Sequence, residues 1–372
     1  MRVPFVDLSA LYASHKTEFD SALANVIEKN AFVGGEPVRT FEHSYAEKYG
    51  VRHCVSCANG TDAIYIALCM LGIGSGDEVI TTAASWIATS ETISQAGATP
   101  VFVDVDNYYI LDVDRLEQAL TPRSRALIVV HLYGQAAQMS AISSFCARHN
   151  LYLIEDCAQA HFAEWQGQCV GTFGDIATFS FYPGKNLGAW GDAGAIVTND
   201  DELAQKCRMF ANHGALVKHQ HEIEGINSRM DGIQAAILTA KLEYIDNWTA
   251  ARRRVAARYD ELLKGIGDLR LPEVRDGASH VYHLYVINTA YRDQLKAYLG
   301  EHEIQSAIHY PTALPLLPAY AYLGVNPSSI PAAAANQDRI LSLPIFPEMS
   351  AEMIEYVAGT VTEFFAQHSA SS

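Results

Sequence analysis

Ala126-Leu127-Ile128-Val129-Val130-His131, Met139-Ser140-Ala141-Ile142-Ser143-Ser144-Phe145-Cys146-Ala147-Arg148-His149 and Leu151-Tyr152-Leu153-Ile154-Glu155 read in succession as strand, helix and strand. Both strands are short, apolar on both faces and rich in Val, Ile and Leu, as buried parallel strands covered by helices are. The alternation extends both ways. Upstream, helical spacing of apolar residues falls at Phe19–Ile27 and Phe41–Tyr49, and a strand at His53–Ser56 turns into a helix over Thr61–Leu71. Strands at Val79–Thr82 and Pro100–Asp104 then alternate with helices at Ser90–Ala96 and Val113–Leu120. Downstream, strands are expected at Ile176–Phe181 and Ala195–Thr198, with a strand or turn near Phe210–His213. The pattern predicts an α/β large domain over residues 1–249, built on a mostly parallel mixed sheet covered by helices.

Past Met230 the pattern changes. Met230–Lys264 reads as one long helix, of the kind that links domains or spans an interface. A strand at Tyr282–Asn288, a helix at Arg292–His302, a strand at Ala307–Tyr310 and a helix at Ala351–Ala366 follow. These predict a small C-terminal α+β domain over residues 250–372. No repeat is present, and the only low-complexity tract is Ser369–Ser372.

Composition narrows the function. The 372 residues carry a formal net charge of −16, which opposes nucleic acid or an anionic membrane as the main partner. A local basic pocket could still take an anionic substrate. No run approaches the roughly 18 apolar residues of a membrane span, and the start Met1-Arg2-Val3-Pro4-Phe5 has no apolar signal segment. Cys54 and Cys57 form a C-x-x-C, but no second pair completes a zinc site, and they end what reads as a buried strand. Seven scattered, reduced cysteines fit a cytoplasmic protein. His213, His219 and His221 share a polar loop without carboxylate or cysteine support, so no metal is expected.

Three places carry chemistry. At Asn59-Gly60-Thr61-Asp62-Ala63 a strand hands over to a helix whose N–H groups and dipole favour an anion; a plain helix cap is the other reading. Leu153-Ile154-Glu155-Asp156-Cys157-Ala158-Gln159-Ala160-His161 ends a buried strand in polar residues, where open α/β sheets place ligands. A buried Asp156 needs a cationic or donor partner, or else it caps the next helix. Lys185 lies in Ser180-Phe181-Tyr182-Pro183-Gly184-Lys185-Asn186-Leu187-Gly188. A lysine kept partly desolvated there has a lowered pKa and can form a Schiff base; an exposed loop lysine is the alternative.

These stretches resemble the DegT/DnrJ/EryC1/StrS family of nucleotide-sugar aminotransferases, which have the fold type I pyridoxal-phosphate (PLP) architecture. The likeness begins at Val3-Pro4-Phe5-Val6-Asp7-Leu8 and passes through Gly76-Asp77-Glu78-Val79-Ile80 and His131-Leu132-Tyr133-Gly134-Gln135. It continues through Gly191-Asp192-Ala193-Gly194-Ala195, Gly225-Ile226-Asn227-Ser228-Arg229-Met230-Asp231, Ile308-His309-Tyr310-Pro311 and Leu341-Ser342-Leu343-Pro344. The resemblance implies that the large domain binds PLP, with Lys185 as the Schiff-base lysine and proton shuttle. Asp156 would pair with the pyridinium nitrogen and Gln159 would sit near the phenolic oxygen. Gly60, Thr61 and Ser180 would hold the phosphate, and Trp86 would stack on the ring. Asn227 would reach the phosphate across a homodimer interface, so that active sites are shared. Arg229, His309 and Tyr310, with Lys185, would meet the substrate.

The implied reaction moves an amino group from L-glutamate to a nucleotide-linked keto sugar, for polysaccharide or glycoside biosynthesis. The motifs are most similar to those of relatives acting on dTDP- or UDP-linked 3-keto hexoses; amination at C4 is the alternative. Sugar dehydratases of this fold carry histidine in place of Lys185, and a non-catalytic member would not need Lys185, Asp156 and Gln159. Phe162 and Glu164 depart from the family's small residues and are expected to alter the substrate's pose.

Overall fold

A computed structural model describes residues 1–369; Ala370–Ser372 lie outside the described residues, so the Ser369–Ser372 tract is described only at its first residue. Seven strands form the main sheet: β1 (His53–Cys57), β2 (Glu78–Thr82), β3 (Thr99–Val103), β4 (Ser124–Val130), β5 (Tyr152–Asp156), β8 (Ile176–Ser180) and β9 (Gly194–Thr198). Between β5 and β8 a small hairpin pairs β6 (Glu164–Trp165) with β7 (Gln168–Cys169). The sheet order is β1-β9-β8-β5-β4-β2-β3. The pairs from β8 to β3 are parallel, whereas β9 runs antiparallel to both β8 and β1. The expected mostly parallel mixed sheet is therefore present, with one reversed strand.

Alternate residues of β4 enter different cores, which explains strands apolar on both faces. Ala126 and Ile128 join one layer with the helices Gly60–Met70 and Asp201–Ala211. Leu127 and Val129 join the other, with Gly35–Tyr49, Met139–His149 and Gly232–Leu242. A further core is built on the antiparallel pair β10 (Tyr285–Asn288) and β11 (Ile340–Leu343). Val255, Tyr259 and Leu263 of Ile245–Leu263, Leu295 and Leu299 of Arg292–Glu301, and Val357 and Val361 of Ala351–Ser369 cover it. Val3 is also buried there, tied to the chain at Glu303 and Gln305 by backbone hydrogen bonds of 3.0 and 2.9 Å.

Several elements differ from expectation. The long helix over Met230–Lys264 is two helices, Gly232–Leu242 and Ile245–Leu263. Neither proline nor glycine marks the break; it falls where the Tyr244 ring packs 3.9 Å from His15 and its N–H bonds to Lys241 three residues back. Val113–Leu120 is a 3-10 turn followed by one helical turn. Phe210 and Ala211 end the helix Asp201–Ala211, whose N-cap Asp200 accepts from the Leu203 N–H, while Asn212 bridges to Asn227 and His213 lies in the expected turn. Ala307–Tyr310 forms no strand beyond a single bridge from Ala307 to Ser342.

Candidate active site

A cavity of about 940 Å³ opens where β1, β4, β5 and β8 end. Gly60, Thr61, Trp86, Asp156, Gln159, Ser180, Lys185, His309 and Tyr310 all line it. Residues far apart in the chain converge because carboxyl ends of parallel strands share one edge of a sheet.

The phosphate-type cradle is built from β1 and β8. Asn59 caps the helix Gly60–Met70 by accepting from the Asp62 N–H at 2.8 Å, and the Asn59 carbonyl takes the Ala63 N–H. Of the first helical N–H groups, those of Gly60 and Thr61 remain as donors at the cavity. Position 60 must be glycine, since a Cβ there would lie 2.6 Å from Ser180 Cβ. That closeness sets the Ser180 side chain beside the helix start.

Lys185 sits in a tight loop. Its N–H donates to the Tyr182 carbonyl at 2.8 Å, and the buried Lys241 ammonium holds the Gly188 carbonyl at 2.6 Å. Burial brings the Lys185 amine down to about 8, against an opposing pull from Asp156. Asp156 is buried, which pushes its carboxyl up; the Ala158 N–H (3.1 Å), the Thr89 hydroxyl (3.0 Å) and the charge of Lys185 oppose this. Both direct hydrogen bonds come from neutral donors, so the carboxylate retains capacity for a cationic partner.

Gln159 is pinned at both ends. Its oxygen accepts from the Tyr133 N–H at 2.7 Å, and its amide donates to the Tyr310 hydroxyl at 3.0 Å. Trp86 is exposed at the cavity, its ring centroid 5.6 Å from that of Tyr310. His309 stacks on Phe5 at 5.6 Å and bonds to Ser342 Oγ at 2.8 Å; burial brings it down to about 4, so it is neutral at pH 7. A part-neutral amine, a buried carboxylate, free helix N–H groups beside two hydroxyls and an exposed indole together fit PLP.

Other expectations resolve differently. Asn227 and Arg229 do not line this cavity; both are exposed, in the segment where Asn227 bridges to Asn212. Phe162 does not line it either. Its ring stacks on Tyr49 at 4.4 Å on the far side of the turn, and Glu164 is exposed in the small hairpin. The expected disturbance of the substrate's pose by these two residues is thus corrected, because their bulk points away from the site. Cys54 and Cys57 are both buried free thiols in different cores. Among the described residues, the one cluster with metal-ligand spacing is His131, Glu155 and Cys157. There Glu155 already accepts from His131 and from the N–H groups of Gly171, Phe173 and Gly174.

Sequence reasoning missed Thr89, Ser85, His283 and Asp192, which also line the cavity. Nothing in the local sequence singles out Thr89, a threonine in the short helix Ala88–Gln95. His161, buried and brought down to about 3, is neutral; its ring accepts from the Tyr45 hydroxyl and donates to the Ser180 carbonyl. It braces the cradle from behind.

A model of the DegT/DnrJ/EryC1/StrS aminotransferase family matches residues 13–362. The pleiotropic regulatory protein of Geobacillus stearothermophilus is 46% identical over 368 residues, covering 98% of this chain and 99% of its own. The UDP-N-acetyl-3-dehydro-alpha-D-glucosamine 3-aminotransferase of Acidithiobacillus ferrooxidans is 43% identical over 360 residues, 96% and 97% of the two chains. The crystal structure of S. venezuelae DesV in complex with a ketimine intermediate superposes with a TM-score of 0.95 at 41% identity, covering 98% of both chains.

Proposed function

The chain belongs to the DegT/DnrJ/EryC1/StrS aminotransferase family, and from that premise we propose that it transfers an amino group to a nucleotide-linked keto sugar. It is a PLP-dependent enzyme. When bound, PLP supplies the electron sink that lets an amino group leave one carbon and be installed on another. The carrying observation is the Lys185 amine, brought down to about 8 in the same cavity as the buried Asp156.

In this reading Lys185 Nζ takes a proton from one carbon and returns it to another, which a part-neutral amine does at neutral pH. Asp156 binds the protonated ring nitrogen. The N–H groups of Gly60 and Thr61, with the hydroxyls of Thr61 and Ser180, bind the phosphate. Gln159 faces the phenolic oxygen and Trp86 covers the ring. His309 and Tyr310 meet the sugar.

The substrate in this proposal is a dTDP- or UDP-linked 3-keto hexose. The UDP-sugar 3-aminotransferase at 43% identity supports the position and one of the nucleotides. L-glutamate as donor follows from the family resemblance. We place the enzyme in the cytoplasm, a reading supported by its seven free thiols. A homodimer is supported by Asn227 and Arg229, exposed outside the cavity, and by exposed Phe32 and Val33 next to the same segment, where Gly232 N–H bonds to the Phe32 carbonyl. In that arrangement Asn227 of one copy reaches the phosphate bound by the other, and Arg229 meets the partner's substrate.

One relative at 46% identity carries a regulatory name. A purely regulatory chain has no need for a desolvated amine facing a buried carboxylate, so the catalytic reading is preferred. Purified protein should be yellow with PLP and should turn over a 3-keto nucleotide sugar with glutamate, and Lys185→Ala should abolish turnover. Turnover of 4-keto sugars alone would move the amine to C4. A wild-type protein that takes up no PLP would sink the proposal.

A further inference from the structure

We propose that Thr89 is the positioning residue for Asp156: its hydroxyl holds one carboxylate oxygen and thereby aims the other lone pairs at the ring nitrogen of PLP. This rests on the reading of the cavity given above and adds a residue that reading does not use.

Asp156 has two direct partners, one on each oxygen. The Ala158 N–H takes Oδ1 at 3.1 Å and the Thr89 hydroxyl takes Oδ2 at 3.0 Å. The backbone donor lies two residues away and cannot be varied by side chain. Thr89 comes from a different element, the helix Ala88–Gln95, and is almost fully buried at 1% exposure. Thr89 Oγ1 is the donor to this carboxylate oxygen. Its lone pairs then accept from Ser85 Oγ, 2.9 Å away. The direction of the chain is fixed: Ser85 to Thr89 to Asp156.

The helix turn that carries Thr89 also carries Trp86. The Thr89 N–H bonds to the Trp86 carbonyl at 3.1 Å, and next to it Ser90 accepts from the Tyr320 hydroxyl at 2.7 Å. One braced turn thus presents an indole to the ring's face and a hydroxyl to the group at its edge. The charged and titratable groups that bear on Asp156 from other elements are Lys185, His131 and Tyr310. Among the described residues none of them makes a hydrogen bond to its carboxylate. Among the described residues Thr89 is the one side chain that hydrogen-bonds to it.

The test compares Thr89→Val, nearly isosteric but without the hydroxyl, with Thr89→Ser, which keeps it. Holoenzyme spectra, PLP dissociation by equilibrium dialysis and the rate of the glutamate half-reaction are measured beside far-UV circular dichroism. Thr89→Val should bind PLP about tenfold to a hundredfold more weakly. Its holoenzyme spectrum should be altered, and kcat should fall more than KM rises. Thr89→Ser should restore the wild-type spectrum and most of the affinity. An active wild type with an indistinguishable Thr89→Val overturns the inference and leaves the function standing. Equal losses in Val and Ser variants also overturn it, because the hydroxyl would then not matter. Should Thr89→Val fail to fold, Ser85→Ala, which strips Thr89 of its donor, should show the same spectral change in weaker form; no change overturns the proposal.

Discussion

Lys185 and Asp156 both lose hydration in the cavity, and each favours the charged form of the other. For Lys185 burial wins, and the amine falls from 10.5 to about 8. Capture of PLP needs the neutral amine. The rate at which the apoprotein takes up PLP should therefore fall about tenfold per pH unit below pH 8 and level off above it. Stopped-flow absorbance checks this; a flat profile from pH 6 to 9 contradicts it. Folding linkage has a definite sign. Between about 8 and 10.5 the unfolded chain binds a proton at Lys185 that the folded one releases, so the contribution of Lys185 to apoprotein stability rises with pH across that interval. The difference in stability between the wild type and Lys185→Met in urea titrations should therefore shift in favour of the wild type as pH rises from 8 to 10.5, while Lys241, also brought down to about 8, contributes equally to both. At this scale the sequence disclosed the ionic residues, because a lysine among glycines and an aspartate at a strand end are conspicuous. Thr89 and His283 were not legible: a threonine in a short helix and a histidine in a coil say nothing until the fold sets them against Asp156 and Lys185.

The handover from β1 to the helix Gly60–Met70 packs against the end of β8 with no room for a side chain. Gly60→Ala would press a methyl into Ser180, where the gap is 2.6 Å. The expected cost is about 1–3 kcal/mol of stability, together with a PLP affinity weaker by about tenfold or more as the cradle opens. Gly300→Ala, in the helix Arg292–Glu301 with nothing within 4 Å of an added Cβ, serves as the tolerated control in urea titration and equilibrium dialysis. Most elements were legible because buried parallel strands show as continuous apolar runs and amphipathic helices as periodic ones. The failures have local causes. The break before Ile245 coincides with the packing of Tyr244 on His15, a long-range contact that leaves no mark in the local sequence. The helix Asp201–Ala211 has a local signal at its start, the capping Asp200 and Asp201 in its first turn, but its last residues, Phe210 and Ala211, fall where a strand or turn is expected. Ala307–Tyr310 has a strand-like composition but finds only one bridging neighbour.

The cavity draws on segments from Phe5 to Pro311, so it exists only when the large sheet and the β10–β11 layer are both in place. If Asn227 completes the site of a second copy, two crippled proteins should rescue each other. Lys185→Ala mixed with Asn227→Ala under subunit exchange should recover about a quarter of the wild-type sites, since half of random pairs are mixed and each mixed pair holds one intact site. Steady-state assays before and after exchange decide it, and no recovery argues against sharing. The overall architecture was legible in the sequence, whereas the reversed direction of β9 was not, because strand direction depends on pairing at a distance. That reversal has a consequence during synthesis. Among the described residues the only sheet neighbour of β1 is β9, so the segment His53–Cys57 leaves the ribosome long before Gly194–Thr198 exists to pair with it. At ordinary translation rates the wait is on the order of ten seconds. For that time an apolar strand has no neighbour within its own chain, which makes the nascent polypeptide a candidate client for chaperones that shield unpaired strands.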